Sequence, residues 1–594
     1  MPARTEGKQG TKMDQTFRPT ATSRRSLLLG AGAGLAGLAA AACSRKPEPA
    51  PAPEGITATT IRDAEALTGI TYTEAERAQM VADLEARLGA LKELREVTKP
   101  NSLAPATVFD PRLPGIDYGL TDTSSVSVMP HVSAAMPGEE DVAFASLTQL
   151  RTWLSAGAIS SRELTDLYLK RIETFGPKLE CFVSVMAERA RREADAMDAE
   201  RAAGKVRGPL HGIPYGLKDL FDAEGAPTTW GAAPYKTRAS EGDSAIVRKL
   251  SEAGAILLGK TTCGALAYGD VWFGGVTRNP FDSREGSSGS SAGSASATAA
   301  GLCAFSIGTE TLGSLVSPAM RCGVTALRPT FGRVSRAGGM ALCWSLDKCG
   351  PIARSVEDCA LVLDAINGFD PADAGSIAAG FTYDFRTPIT GLRLGIDPIW
   401  LEAATETEKN AINVAKGLGA TLVPFTMPNL PSDPLSLQLT AEAAAAFESL
   451  TLSGRDDELT WQDPEAWPNS FRGARFISAV DLIQVDRLRR LWMQAMHAAF
   501  ANVDVVIGPS FSSGMLTPTN YTGHPCLAMR CGFDTTKPRT LFDSEANPDA
   551  PAARTPVAIS LWAPLFREGP MLAFGRALEQ ALGVATERPT LQDG

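Results

Sequence analysis

The first clear pattern of apolar and polar positions along the chain is helical. After the sequence Thr73-Glu74-Ala75-Glu76, which is typical of a helix start, apolar residues recur three or four positions apart: Met80, Leu84, Leu88, Leu91 and Leu94. The spacing predicts a helical segment over 58–97 whose apolar side packs on the rest of the protein. Segment 99–140 is rich in Pro, Ser and Asp and predicts a surface connection.

From residue 141 to about 583 the pattern changes to short apolar runs separated by amphipathic stretches. The runs at 210–217, 255–259 and 302–307 predict buried strands. Between them, Ser244 predicts a helix start and Gly254 its end, and the small residues of 291–300 predict another helix. This alternation predicts an α/β fold with helices on both faces of a sheet. Because no linker composition interrupts it, we expect one large domain.

Composition narrows the class of protein. The chain has 594 residues, of which 44% are apolar and 21% charged, as expected for a globular protein with a large core. A net charge of −10 argues against broad electrostatic binding to nucleic acid or anionic lipid. Four His leave little room for a His-rich metal centre, and neither a metal nor a cofactor is expected.

The cysteines follow no disulfide pattern. No CxxC occurs, and nine Cys follow Cys43 at irregular spacings among mostly apolar neighbours. Buried free thiols are therefore expected. A disulfide among Cys343, Cys349 and Cys359 is the alternative in an oxidising compartment.

The N-terminus has the features of an export signal. Arg24 and Arg25 precede an uncharged apolar run that ends at Ala42, a pattern similar to a twin-arginine signal. An ordinary secretory signal or an N-terminal anchor is the alternative, although the run, at about 17 residues, is short for a membrane span of about 20. Cys43 is a candidate for lipid attachment, but Ala40 replaces the Leu usual in lipoprotein signals, so ordinary signal-peptidase cleavage competes.

These features divide the chain into five parts. They are an export signal over 1–43, a Pro-rich tether over 44–57, a helical extension and connection over 58–140, the large domain over 141–583, and a tail over 584–594. The expected location is the periplasm or cell envelope, with a membrane tether if Cys43 is lipidated.

Three segments of the large domain carry candidate chemistry. Lys218 ends the apolar run that begins near Gly212. Residues 286–297 are all Gly, Ser or Ala, which is typical of a flexible linker or a phosphate loop, but the GxxxxGK[ST] pattern is absent and an apolar strand follows. Ser314 follows Gly313 in a turn after a predicted strand, which is a suitable position for a nucleophile.

Taken together, these segments resemble the amidase signature family. The strand Gly212-Ile213-Pro214 through Lys218-Asp219, the Gly/Ser-rich stretch and the turn Gly308-Thr309-Glu310-Thr311 through Ser314 occur in that family's order, and Ser290 precedes Ser314 by 24 residues, the family's spacing. The resemblance covers about 141–583. Further matching positions are Gly259-Lys260-Thr261, Thr277-Arg278-Asn279-Pro280, Arg328-Pro329, Leu346-Asp347, Gly350-Pro351 and Thr522-Gly523-His524-Pro525.

The resemblance implies a fold and a catalytic unit. The fold is a large mixed central sheet covered by helices on both faces. Ser314 is implied as the nucleophile, Ser290 as a bridging Ser after a cis peptide bond, and Lys218 as the base. Ser287 and Ser288 offer a competing register, but their spacing to Ser314 is too long. Backbone N–H groups are implied to bind the oxyanion, from Thr311, Leu312, Gly313 and Ser314.

A Lys residue can activate a Ser nucleophile on physical grounds. A Ser hydroxyl needs a base near neutral pH, and Lys is a base only when its pKa falls from about 10.4 through burial. A Ser-His-Asp unit is the competing interpretation, but no GxSxG elbow surrounds a suitable Ser. The four His are expected to be structural: His131, His211, His497 and His524.

Three positions depart from the family pattern. Leu312 replaces a Gly, Val316 stands where Arg is common, and Glu310 replaces Asp. Leu312 is expected to change the shape of the acyl-binding site. Because Val316 replaces the Arg, a contact between that Arg and a substrate carboxylate is not expected here.

The sequence therefore predicts an exported, metal-independent amidase that hydrolyses a carboxamide through a Ser acyl-enzyme. Its expected partner is a small amide, carbamate or ester and no nucleic acid, and its expected state is a monomer or homodimer. One alternative is a glutamine amidotransferase A subunit that amidates mischarged tRNA, although its cytosolic role conflicts with an export signal. Another is a non-catalytic envelope binding protein on the same scaffold.

Overall fold

A large mixed sheet forms the centre of the computed structural model, which describes residues 55–591 apart from 132, 134, 512 and 540–548. Its eleven strands within that part of the chain are listed in chain order. They are β1 (Phe182–Val185), β2 (Pro214–Lys218), β3 (Ile256–Thr261), β4 (Phe305–Glu310), β5 (Thr325–Arg328), β6 (Lys348–Ala353), β7 (Arg393–Ile396), β8 (Thr421–Pro424), β9 (Val505–Pro509), β10 (Cys526–Thr536) and β11 (Ala553–Trp562).

The strand order across the sheet is β8-β7-β9-β11-β10-β5-β6-β4-β2-β3-β1. Strand β2 pairs in parallel with both β3 and β4, and the β7 strand pairs in parallel with β8 and β9. The remaining neighbours are antiparallel. The predicted α/β fold with a mixed central sheet is therefore confirmed.

Eighteen α-helices of the described residues accompany the sheet. In chain order, α1 to α18 are Ala58–Thr68, Glu74–Glu96, Glu139–Ala143, Leu147–Ser155, Ser161–Leu179, Ala187–Ala202, Ala245–Glu252, Ala292–Ala299, Val316–Cys322, Val356–Ile366, Pro398–Ala403, Glu406–Gly417, Ser436–Ala446, Glu448–Leu452, Trp467–Ala474, Ala479–Ala499, Leu516–Tyr521 and Glu568–Leu582. None of them is both long enough and apolar enough to cross a bilayer, within the residues described.

The interior strands and α8 explain the unusual composition of the central segments. All five positions of β2 are buried, as expected for a strand between parallel neighbours with both faces covered. All eight residues of α8 are buried too. A Cβ on Gly293 would lie 2.2 Å from the Cys181 carbonyl oxygen, so only small residues let this helix approach the sheet. The Gly/Ser stretch is therefore a packed segment and not a linker.

The structure shifts the predicted element boundaries by a few residues. The strand predicted at 210–217 is Pro214–Lys218, because the chain turns at Gly212, whose φ is +84°. The other two predicted strands likewise end later, as β3 and β4. The nine Cys after Cys43 are all buried and free, in agreement with the predicted thiols, and Cys343, Cys349 and Cys359 are unpaired in the structure.

The predicted helical extension appears as α1 and α2, but the apolar side of α2 is less covered than predicted. Thr73 and Glu76 form the predicted capping box at the start of α2, and Arg77 on α2 pairs with Glu65 on α1 at 2.6 Å. However, α2 has no buried residue, and the apolar positions at its end are exposed: Leu88, Leu91 and Leu94. The Arg77–Glu65 pair joins α2 to α1. The predicted export signal and most of the Pro-rich tether lie outside the described residues.

Candidate active site

Lys218 is the last residue of β2, all of whose positions are buried. Its side chain is fully buried. Its Nζ donates hydrogen bonds to Ser290 Oγ at 2.8 Å, Ser291 Oγ at 3.0 Å and Thr309 Oγ1 at 2.7 Å. Thr309 belongs to β4, the parallel neighbour of β2, so the strand pairing brings its hydroxyl to the amine. The amine is thus surrounded by three hydroxyl groups.

Burial lowers the pKa of Lys218 to about 8. The adjacent carboxylate does not offset this effect by direct contact, because Asp219 Oδ1 lies 2.7 Å from Lys260 Nζ instead. The Asp219–Lys260 pair is itself fully buried, and Asp219 Oδ2 accepts from the Thr229 N–H. Lys218 is therefore a lysine whose neutral form is accessible near physiological pH.

Ser290 is placed by a crowded loop of small residues. The Gly289–Ser290 peptide bond is cis, as the family resemblance implies. A Cβ on Gly289 would lie 1.9 Å from the Gly269 carbonyl oxygen, so this position requires Gly. On the same loop, the Ser288 N–H donates to Asp270 Oδ2 at 2.7 Å. Close packing against residues 269–270 thus holds in place the loop that carries Ser290.

The hydrogen bonds do not support Ser287 or Ser288 in place of Ser290 as the bridging Ser. The Ser287 hydroxyl donates to the Ser288 carbonyl, and the Ser288 hydroxyl pairs with Ser317 at 2.5 Å. Of the three Ser residues before Ser291, Ser290 is the one whose hydroxyl bonds the Lys218 amine. Ser291 also bonds this amine, and Thr309 does so from β4. The sequence analysis predicted neither of these two contacts, although Thr309 belongs to the Gly308–Ser314 motif.

Ser314 lies on a turn that meets the loop of Ser290. Its carbonyl accepts from the Ser291 N–H at 3.3 Å, so the backbones of the two segments touch. Ser314 is 8% exposed and Ser290 is 1% exposed, so Ser314 is the more accessible of the two from solvent. Gly313 has φ of +89°, a conformation that favours glycine. The fold therefore brings Lys218, Ser290 and the Ser314 turn together.

The predicted oxyanion donors lie on this same turn. Among the described residues, no acceptor is hydrogen-bonded to the N–H groups of the four predicted donors Thr311, Leu312, Gly313 and Ser314. The Thr311 hydroxyl donates to Asp347 Oδ1 at 2.6 Å. Leu312, at the position of a family Gly, is half-buried against an apolar cluster. These amides are available to an incoming acceptor.

Glu310 holds the Ser314 turn through hydrogen bonds to the backbone that follows it. Its Oε2 accepts from the N–H groups of Leu315 at 2.8 Å and Val316 at 3.1 Å, and its Oε1 accepts from Arg328 at 2.6 Å and Asn520 at 2.9 Å. Burial alone would raise the pKa of Glu310, but the Arg328 guanidinium outweighs it and lowers the pKa to about 2. Glu310 is therefore an ionised carboxylate at neutral pH that holds the backbone just after Ser314.

The four His make contacts remote from this chemistry. His211 Nε2 contacts the Met197 carbonyl at 2.9 Å. His524 pairs with Thr522 at 2.7 Å, and burial lowers its pKa to about 3. His131 and His497 each pack edge-on against an aromatic ring. The structural interpretation of the His residues agrees with these contacts.

The comparison with protein families decides the class of protein. The model of the family described as "Amidase" matches residues 163–572, more than half of the chain. The chain belongs to the amidase family. Solved structures agree: the chain is similar to the peptide amidase of Stenotrophomonas maltophilia, with 28% identity, a TM-score of 0.63, and coverage of 76% of this chain and 99% of that one. A bacterial aryl acylamidase of the amidase signature family shares the fold at 22% identity and a TM-score of 0.63, over 76% and 100% of the two chains.

Curated members of the amidase family are also similar in sequence. The A subunit of the glutamyl-tRNA(Gln) amidotransferase of Halorhodospira halophila is 34% identical over 61% of this chain and 82% of its own length. The protein of the same name from Chromohalobacter salexigens is 32% identical over 75% of this chain and 98% of its own length.

The Glu310 anchor yields a stability prediction. Glu310→Ala leaves the buried Arg328 without its partner, so the free energy of unfolding should fall by about 3–5 kcal/mol in denaturant titrations at neutral pH. Because the folded pKa lies below the ordinary value of 4.5, the stabilisation is complete above about pH 4.5 and is lost as the pH falls towards 2.

Glu406→Ala is the matched control. Glu406 is exposed and pairs with Lys409 on the same helix turn, so its loss should cost less than about 1 kcal/mol. Equal losses for the two variants would contradict the anchoring role of Glu310.

Proposed function

We propose that this member of the amidase family hydrolyses a carboxamide C–N bond through a Ser acyl-enzyme. The single observation that carries the proposal is the 2.8 Å hydrogen bond between the buried Lys218 amine and Ser290 Oγ, on a loop whose backbone touches that of Ser314. Lys218 is proposed as the base, Ser290 as the bridge and Ser314 as the nucleophile.

The proposed proton path follows these contacts. Neutral Lys218 takes the proton of Ser290, Ser290 takes that of Ser314, and Ser314 Oγ bonds to the amide carbon. The carbonyl electrons move to the oxygen, which the N–H groups of 311–314 stabilise by several kcal/mol. As the C–N bond breaks, the proton returns through Ser290 to the leaving amine. Water, activated along the same path, then releases the acid and restores Ser314.

The finer activity has two candidates. Similarity in sequence favours the A subunit of an amidotransferase, because the curated relatives described above are named as A subunits of glutamyl-tRNA(Gln) amidotransferase. A self-standing exported amidase is favoured by Arg24, Arg25 and the apolar run before Cys43, and by similarity to a peptide amidase. The first candidate takes ammonia from glutamine and works with further subunits. The second hydrolyses its own small amide substrate as a monomer or homodimer.

A substrate panel tests the proposed function. The isolated protein is assayed for ammonia or amine release from glutamine, acetamide, 3-phenylpropanamide, anilides, carbamates and esters. We expect Ser314→Ala to lower turnover of the best substrate by roughly 10³-fold or more. Ser453→Ala, at an exposed Ser whose hydroxyl donates to the Leu450 carbonyl, is the matched control and should keep most of the activity.

The panel also separates the two candidates. Preference for glutamine supports the amidotransferase candidate, and preference for the other amides supports the self-standing amidase. Equal activity of Ser314→Ala and the wild type would sink the nucleophile assignment.

The pH profile tests the base. Because Lys218 acts as a base only when neutral and its pKa lies at about 8, log kcat/KM should rise with pH and level off above about 8. The residual rate of Lys218→Ala should lack this step. Burial also lowers the pKa of Lys348, whose Nζ donates to the Leu346 carbonyl, so Lys348→Met is the control and should keep the step. A step that persists in Lys218→Ala would contradict the proposed base.

Export is a separate proposal, which rests on the sequence of residues 1–43. In fractionated bacterial cells the full chain should accumulate outside the cytoplasm, and replacing Arg24 and Arg25 together by Lys should retain it inside. Cys43→Ala should abolish membrane association if Cys43 carries a lipid. Equal cytoplasmic retention of the wild type and the double variant would argue for the amidotransferase candidate.

A further inference from the structure

A cavity of about 280 Å³ adjoins the site on the Thr309 side of Lys218. Thr309, whose hydroxyl bonds the Lys218 amine, and Thr311, the first residue of the oxyanion turn, both line it. Leu220 and Phe221, which follow Lys218 in the chain, form another part of the wall. A group held in this cavity therefore lies beside the catalytic turn.

The walls of the cavity suit an uncharged apolar group. Apolar side chains contribute much of the lining: Leu220, Phe221, Met340, Leu342 and Trp344. The charged groups of the lining are already paired. Arg336 bonds Asp373 at 2.8 Å and donates to the Trp344 carbonyl at 2.6 Å, and Asp347 accepts from Thr311 and from the Leu342 N–H. A charged substrate group would have to compete with these internal partners.

The N-terminal extension supplies one side of this cavity. Ser102 and Ala104 line it, although they lie well before residues 163–572, which the family model matches. Asn101 fixes them in place through a two-way clasp: its Oδ1 accepts from the Ala341 N–H at 2.8 Å, and its Nδ2 donates to the Ala341 carbonyl at 2.8 Å. The Trp344 indole N–H donates to the Asn101 carbonyl at 3.3 Å.

We propose that residues 101–104 form a specificity-determining wall of a substrate subsite, which takes an uncharged apolar portion of the amide. The proposal rests on the proposed function, since it assigns a substrate class to the same site. Its physical basis is the clasp at Asn101, which holds Ala104 against a cavity that is otherwise built by the catalytic domain. Ala104 and Trp344 also line a second cavity of about 760 Å³, so a longer substrate has room to continue beneath the extension.

Ala104→Trp in the full-length protein tests the wall. An indole at this half-buried position fills the subsite, so the ratio of kcat/KM for 3-phenylpropanamide to that for acetamide should fall at least tenfold. Ala106→Trp is the matched control, because Ala106 is exposed and lines neither cavity; its ratio should equal that of the wild type. Thermal unfolding and near-ultraviolet circular dichroism check that both variants fold.

A binding measurement separates failure of the wall from failure of the proposed function. Calorimetric titration of 3-phenylpropanamide into Ser314→Ala should give a Kd that Ala104→Trp, added to Ser314→Ala, raises at least tenfold and Ala106→Trp leaves unchanged. An unchanged Kd and ratio in folded Ala104→Trp, or no measurable binding to Ser314→Ala, would overturn the wall. If the wild type turned over no amide but Ala104→Trp raised the Kd of Ser314→Ala as predicted, the proposed function would be overturned and the wall would stand.

Discussion

A lysine amine buried among hydroxyl groups is the constraint on which the rest of the site depends. Burial without a contacting carboxylate disfavours the charged ammonium, and Asp219, the nearest acidic neighbour in the chain, is held by Lys260. The three hydroxyl partners of Lys218 stabilise the amine without fixing a positive charge on it. Lys218 therefore combines a fixed position with a lowered pKa, the two properties that a base at the centre of a sheet requires.

Bringing Ser290 to this buried amine requires backbone segments to lie very close together. Gly289 faces the Gly269 carbonyl, and Gly293 faces the Cys181 carbonyl, at distances that exclude any side chain. This close packing explains why residues 286–297 are all Gly, Ser or Ala. Glu310 completes the arrangement, since its buried carboxylate holds the backbone just after Ser314 against Arg328.

The sequence predicted the sheet, the central helix and the three segments that the structure brings together, because each rests on a local pattern. The buried strands β2 and β3 overlap the apolar runs predicted at 210–217 and 255–259, and the order of three motifs singled out Lys218, Ser290 and Ser314 as candidates. The exposure of the apolar positions at the end of α2 was not predicted, for a physical reason. Helical spacing of Leu88, Leu91 and Leu94 shows which side of α2 is apolar, but not whether anything covers it, and these residues are exposed. The contribution of Ala104 to the cavity has no local signature, because it depends on a clasp between residues 240 positions apart.

The central claim is that Lys218 is neutral at a pH where ordinary lysines are charged. The most direct measurement is an NMR titration of protein carrying ¹³C at lysine Cε, with the Lys218 resonance assigned from its absence in Lys218→Met. We expect a midpoint at about 8, well below that of exposed lysines at about 10.4. A midpoint for Lys218 at or above about 10 would contradict its role as a base, since the amine would then be an ammonium that cannot take a proton from Ser290.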